Sequence, residues 1–227
     1  MIIYLVRHGD PDYANDTITP KGHKEAEAVS KRLASVGLDK IYSSPLGRAI
    51  ATMKYTADLL KMPYGIEEWT KEISDFSVSN EKLGQIAAWK IPGEEIFSGK
   101  QYPSIDSWHE APFLSELPAK SVYDEIVEGS NEFLARHGYT MEGRLYRAIM
   151  PNNEKIALFA HGGFGVTWLA HLLNIPVPVM WCGFHLFTTS VTTIFFEPRP
   201  GGLISPRCLG VGDLSHLDYG SHPTVYK

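Results

Sequence analysis

Cysteine is scarce in this sequence. Cys182 and Cys208 are the only two in 227 residues. Two thiols in a chain of this length make no disulfide framework, so the fold must rest on an apolar core, and the usage is that of reduced, core-type cysteines. An excess of positive charge is also missing. Lys and Arg number 21 against 26 Asp and Glu, a formal net charge of −5. That balance excludes the broad basic face that nucleic-acid backbones require, whereas one small anion needs only a few local arginines. No long hydrophobic run is present. The opening Met-Ile-Ile-Tyr-Leu-Val-Arg-His is too short in its apolar part for a signal or a membrane span, and it has no charged leader or cleavage site. The expectation is a cytoplasmic protein without a membrane partner. Asp10 and Asp12 could be drawn with His8 and His161 as a metal site, but no His-x-x-x-His or two-His-one-carboxylate spacing supports one, so no metal is expected.

What the chain does have is apolar material, 44% of residues, enough to bury a large core. Residues 2–6, 40–43, 156–160, 191–197 and 203–209 read as strands, the last two as a hairpin around Pro198 to Gly202. Thr19 is a good N-cap before Pro20, apolar residues recur at helical spacing through Ala34, and Gly37 is a stop. Further helices are predicted over 46–61 and 163–173. Between about 76 and 140 the rhythm breaks, with many aromatics, prolines and glycines. Ser121 and Asp124 resemble a capping box that opens a helix ending at Gly138. Strand–helix alternation around such a section predicts one α/β domain over 1–227 with an insertion at about 76–140.

Three short segments carry chemistry, and each follows a predicted strand and precedes a helix or turn. Arg7-His8-Gly9 offers a fixed cation, a nucleophile or base, and a backbone that a ligand can approach closely. Ser43-Ser44-Pro45-Leu46-Gly47-Arg48 offers free helix amides and a second guanidinium. His161-Gly162-Gly163 offers a second imidazole. In an open α/β sheet ligands collect at the carboxyl ends of the strands. If the three strands are neighbours, Arg7, Arg48, His8 and His161 converge into a dianion site suited to phosphoryl transfer. His23, Glu67 and Glu68 read as solvated, and Trp181, Cys182 and His185 as packing.

Arg7-His8-Gly9, Thr17 to Gly22, Ser43 to Thr52 and His161-Gly162-Gly163, in that order, resemble the signature segments of the histidine phosphatase superfamily, the phosphoglycerate-mutase-like proteins. The resemblance implies a three-layer α/β/α sandwich with a mostly parallel mixed sheet and an inserted helical or irregular cap. It implies a phosphomonoesterase that works through a phosphohistidine on His8, without metal or organic cofactor. Arg7, Arg48, His161 and Asn15 would hold phosphoryl oxygens. A carboxylic acid would protonate the leaving oxygen and then activate water. Glu72 is the best match, with Asp75 in reserve, because the chain departs from the family pattern after Ile73. Asn15 stands one position later than the family pattern sets it. A phosphoglycerate-type mutase and a non-catalytic phosphate-binding protein are the rival readings. The partner implied is a small phosphorylated substrate. Its identity, expected to depend on the insertion and on the tail from Asp213 to Lys227, and the oligomeric state are not written in the sequence.

Overall fold

A computed structural model describes residues 1–81, 84–98 and 102–217. The elements are, in chain order, β1 (Ile2–Arg7), β2 (Pro11–Asp12), β3 (Thr17–Ile18), α1 (Pro20–Val36), β4 (Lys40–Ser43), α2 (Gly47–Leu60), β5 (Gly65–Ile66), β6 (Ser77–Asn80), β7 (Gly84–Ala87), α3 (Gly93–Phe97), α4 (Ala119–Arg136), β8 (Tyr139–Glu142), β9 (Leu145–Ala148), β10 (Lys155–Ala160), α5 (Gly162–Leu173), α6 (Val177–Gly183), β11 (Val191–Phe195), β12 (Leu203–Ile204) and β13 (Arg207–Asp213). The main sheet has six strands in the order β13-β11-β1-β10-β4-β5. Its β1, β10, β4 and β5 run parallel; β11 alone is reversed, antiparallel to both of its neighbours β1 and β13. This is the mostly parallel mixed sheet that the resemblance implied.

Both faces of the sheet are covered, as continuous apolar strands require. In β10 the side chains alternate between two cores. Ala157 and Phe159 join Val6, Ile41 and Val191 against Val29 and Leu33 of α1 and Met53 and Ala57 of α2. Ile156, Leu158 and Ala160 join Ile3, Leu5 and Ile194 against Phe133 of α4 and Phe164 and Trp168 of α5. Phe76, Val78, Ala88, Ile96, Trp108 and Leu114, from the irregular section, belong to that second core.

Local chemistry explains the element ends. The Thr19 hydroxyl accepts from the Gly22 amide at 3.1 Å, Pro20 opens α1, and Gly37 closes it at φ +72°. At α4 the expected capping box is absent. The helix starts earlier, at Ala119, the Ser121 hydroxyl donates back to the Pro118 carbonyl, and Asp124 pairs with Lys120. The helix ends at Arg136, just before Gly138 at φ +86°. The predicted strand at 203–209 is two strands in different sheets. Leu203–Ile204 pairs with β9, and Arg207–Asp213 pairs with β11. Ser205-Pro206 separates them, since proline offers no ladder donor. Glu67 is buried rather than solvated. Its carboxylate accepts from Arg136 at 2.7 and 2.8 Å and from the Trp69 indole at 2.9 Å, and these bonds offset its removal from water. His23 is exposed, and both cysteines are free thiols.

Candidate active site

Strand register decides which side chains meet. In the order β1-β10-β4, Arg7 pairs with Ala160, and Phe159 with Ser43. The next residue along each strand is therefore His8, His161 and Ser44. The His8 amide continues the ladder to the Ala160 carbonyl at 2.9 Å, and the Ser44 amide continues it to Phe159 at 2.8 Å. Three segments remote in sequence thus end side by side at the carboxyl edge of the sheet.

The His8 and His161 rings stand 5.2 Å apart, tilted by 54°, and both residues are almost completely buried. Nδ1 of His8 lies 2.7 Å from the Gly9 carbonyl, an acceptor only, so Nδ1 carries the proton and Nε2 keeps its lone pair. Burial, reinforced by the Arg7 charge, pushes the His8 pKa down to about 3. The imidazole is neutral near pH 7, the form in which it can attack. His161 is driven well below the usual range by burial, then by His8, Arg48 and Arg7. Its Nε2 lies 2.7 Å from the Ser44 hydroxyl, while its Nδ1 is buried without a hydrogen-bond partner.

Two guanidiniums flank the imidazoles. Arg7 is fixed by Nη1 donating to the Leu186 carbonyl at 2.6 Å. Arg48 donates from Nη1 to Asp16 at 2.8 Å, and its guanidinium carbon lies 5.5 Å from the centre of the Tyr13 ring. Asp16 also accepts from the Gly47 amide at 2.7 Å, which ties its loop to the start of α2. Among the described residues, Nε of Arg7 and Nε of Arg48 are buried without hydrogen-bond partners, like Nδ1 of His161. Such buried donors are rarely left unmatched unless a site uses them.

Glu72 reaches the same place from the other side. Its carboxylate accepts from the Gly163 amide at 3.1 Å, from Phe164 at 2.7 Å and from its own neighbour Ile73 at 3.1 Å. It therefore sits on the free amides that open α5, directly after His161. A cleft of about 680 Å³ runs past this group, lined by Arg7, Glu72, Trp89, Lys90, Gly162 and His185 among others. Asp75, the reserve acid, is exposed and does not line the cleft. Asn15 is exposed too. Its amide nitrogen donates to Asp12 at 2.8 Å, and it is not among the cleft residues.

Sequence reasoning missed three participants. Asp16, Ser44 in its bond to His161, and His185 in the cleft wall emerge only from the fold. Ser44 lay within a quoted motif, so strand register would have exposed it. Asp16 and His185 occupy loops without periodicity, which no spacing argument reaches. Among the described residues no group of three or more His, Cys, Asp or Glu side chains could hold a metal ion.

Residues 3–82, which hold His8, Arg48 and Glu72, match the family model of the histidine phosphatase superfamily (branch 1). Over that segment, about a third of its length, the chain is similar to the histidine phosphatase superfamily. Similar proteins include a putative phosphoserine phosphatase 2 from Hydrogenobacter thermophilus, 24% identical, covering 89% of this chain and 93% of the relative. A probable phosphoglycerate mutase GpmB from Yersinia enterocolitica is also 24% identical, covering 95% and 94%. The fold is shared with the phosphoserine phosphatase of Entamoeba histolytica solved with 3-phosphoglyceric acid, at a TM-score of 0.64 and 22% identity over 95% of this chain and 98% of that one. It is shared as well with a mycobacterial glucosyl-3-phosphoglycerate phosphatase, at a TM-score of 0.58 and 16% identity over 93% and 98%.

Proposed function

We propose that this protein hydrolyses a small phosphate monoester through a phosphohistidine on His8. The observation that carries the reading is the meeting of a neutral, oriented imidazole with three buried side-chain nitrogens that lack partners among the described residues, on Arg7, Arg48 and His161, the first two N–H donors and the third a donor in one tautomer. Phosphoryl transfer asks mainly for position and for neutralisation of charge on the three equatorial oxygens, and these donors supply both. In the first step Nε2 of His8 bonds to phosphorus while the ester P–O bond breaks, and the leaving oxygen takes a proton from Glu72. In the second, Glu72 removes a proton from water, the water oxygen bonds to phosphorus, and the N–P bond breaks. Ester and water become alcohol and inorganic phosphate, and His8 and Glu72 return to their starting states.

Asn15 belongs to this proposal as a further phosphate ligand only if its loop brings it inward. The relatives' names, phosphatases of phosphoserine and of glucosyl-3-phosphoglycerate, support a small phosphorylated partner. Two unpaired thiols support a cytoplasmic setting, and no helix among the described residues is long and apolar enough to cross a membrane.

The test is turnover of p-nitrophenyl phosphate together with trapping of the phosphoenzyme. Wild-type protein is expected to release phosphate and to yield an acid-labile N–P adduct on His8. His8→Ala is expected to lose activity by a factor on the order of 10³ or more. Undiminished activity in that variant would overturn the proposal. Conversion of 3-phosphoglycerate to its 2-phospho isomer without phosphate release would point instead to the mutase chemistry named for the Yersinia relative.

A further inference from the structure

The charges around the cleft do not balance locally. Its cationic side chains are Arg7, Lys21 and Lys90, with the His185 imidazole beside them, and its carboxylates are Asp10 and Glu72. Glu72 is held by the α5 amides. Asp10 accepts from the Thr19 hydroxyl at 2.7 Å and pairs with Lys21 at 3.5 Å, while Lys21 also pairs with the buried Glu25 at 3.4 Å. Arg7 is anchored to Leu186 and faces the two imidazoles. Lys90 is left over. It is exposed in the cleft, and it has no ion pair or hydrogen bond among the described residues.

The position of Lys90 is not that of a free surface lysine. Its neighbour Trp89 packs so tightly on Gly163 that a Cβ there would lie 2.6 Å from the indole. Gly163 is the residue whose amide holds Glu72. Lys90 therefore stands on the same wall as the proposed proton donor, which is the side the leaving alcohol must occupy. His185 lines the same cleft. It precedes the residue that anchors Arg7, and its ring packs against Phe187 at 4.6 Å. Burial and then the charges of Arg7 and Lys90 lower its pKa, so near pH 7 it offers a neutral N–H donor close to both cations.

We infer that Lys90 and His185 form a second anion subsite on the leaving-group side, and that the substrate is a small phosphate monoester bearing a further anionic group such as a carboxylate. The inference rests on the phosphomonoesterase reading and narrows its substrate class. A charge-assisted hydrogen bond from an ammonium without a competing carboxylate favours such a leaving group over its uncharged or cationic counterpart.

The experiment compares esters that differ in one group: phosphoserine with phosphoethanolamine, and 3-phosphoglycerate with glycerol 3-phosphate. Wild-type kcat/KM is expected to favour the carboxylated member of each pair by about tenfold or more, mostly through KM. Lys90→Gln is expected to bring each ratio to within about threefold of unity, and Lys90→Arg to retain a clear preference. Equal rates on both members in wild type, or ratios unmoved by Lys90→Gln, would overturn the inference while leaving the phosphatase reading intact. If no ester turns over, the phosphatase reading fails first. The subsite is then judged by calorimetric binding of the same four compounds, where a carboxylate preference that Lys90→Gln abolishes supports it and equal affinities reject it.

Discussion

At the scale of single residues the site is decided by where protons sit on two imidazoles. His8 is settled by the Gly9 carbonyl. For His161 we infer the tautomer in which the Ser44 hydroxyl donates; its oxygen already faces the Leu46 amide as an acceptor at 3.4 Å, and a second acceptance from Nε2–H is the alternative that the measurement below separates. The hydroxyl's one proton is free to go to Nε2 of His161, 2.7 Å away. In that tautomer the His161 proton sits on Nδ1, a buried atom without a partner among the described residues. On the proposed reading, Ser44 is a positioning residue that makes His161 a donor to the phosphoryl oxygens. Ser44→Ala is expected to lower kcat about tenfold or more, with KM changed less, by letting His161 populate the other tautomer. Nitrogen-15 shifts of His161 offer a readout that a packing defect would not mimic. Wild type should show a protonated Nδ1 and a pyridine-type Nε2, with the variant a mixture. A proton found on Nε2 in wild type would refute the assignment.

At the scale of elements, the start of α5 holds together the wall that carries the proposed proton donor. Gly163 is where helix, acid and aromatic wall meet, and only the missing Cβ lets them. A Cβ there would lie 2.6 Å from Trp89 and 2.8 Å from Oε1 of Glu72. Gly163→Ala is therefore expected to displace the Glu72 carboxylate and the Trp89 wall rather than to unfold the helix, since alanine favours helix. Misplacing a catalytic group by about an ångström costs on the order of 10² in rate. The variant should keep its circular dichroism spectrum and lose about that factor in kcat on p-nitrophenyl phosphate. Full activity in Gly163→Ala would show that Glu72 is not held as a reacting group there. The wall also explains the sequence departure after Ile73. Here the chain turns at Asp75, φ +53°, and enters the β6-β7 ribbon that leads to Trp89 and Lys90.

At the scale of the whole molecule, the legible parts were those with local periodicity. The strands at 2–6, 40–43 and 156–160 and the helices after them announce themselves through apolar runs and caps, so the parallel frame and the convergence of His8, Arg48 and His161 could be read. Glu67 could not, because its partner Arg136 lies 69 residues away. The split of 203–209 depended equally on pairing with remote strands. Of the tail, residues 218–227 lie outside those described. The same long-range burial sets an acid limit on stability. An imidazole kept neutral in the fold gains its proton only on unfolding. Below about pH 6.5 the unfolded chain therefore binds protons that the folded chain refuses, and stability falls with pH. The loss continues until the folded imidazole titrates, about pH 3 for His8 and about 4 for His171, both lowered chiefly by burial. Each contributes a slope of up to about 1.4 kcal/mol per pH unit across that window. Paired carboxylates with lowered pKa values, such as Glu154 and Asp213, add their losses only at lower pH, below the ordinary range of an acid side chain. Between pH 6.5 and 5 the histidines dominate. Urea unfolding of His171→Asn over that interval should show a stability slope shallower than wild type by about 1 kcal/mol per pH unit, whatever its stability at neutral pH. Parallel slopes for the two proteins would mean that His171 is protonated in the folded state, and that its burial against the Tyr146 hydroxyl does not exclude charge.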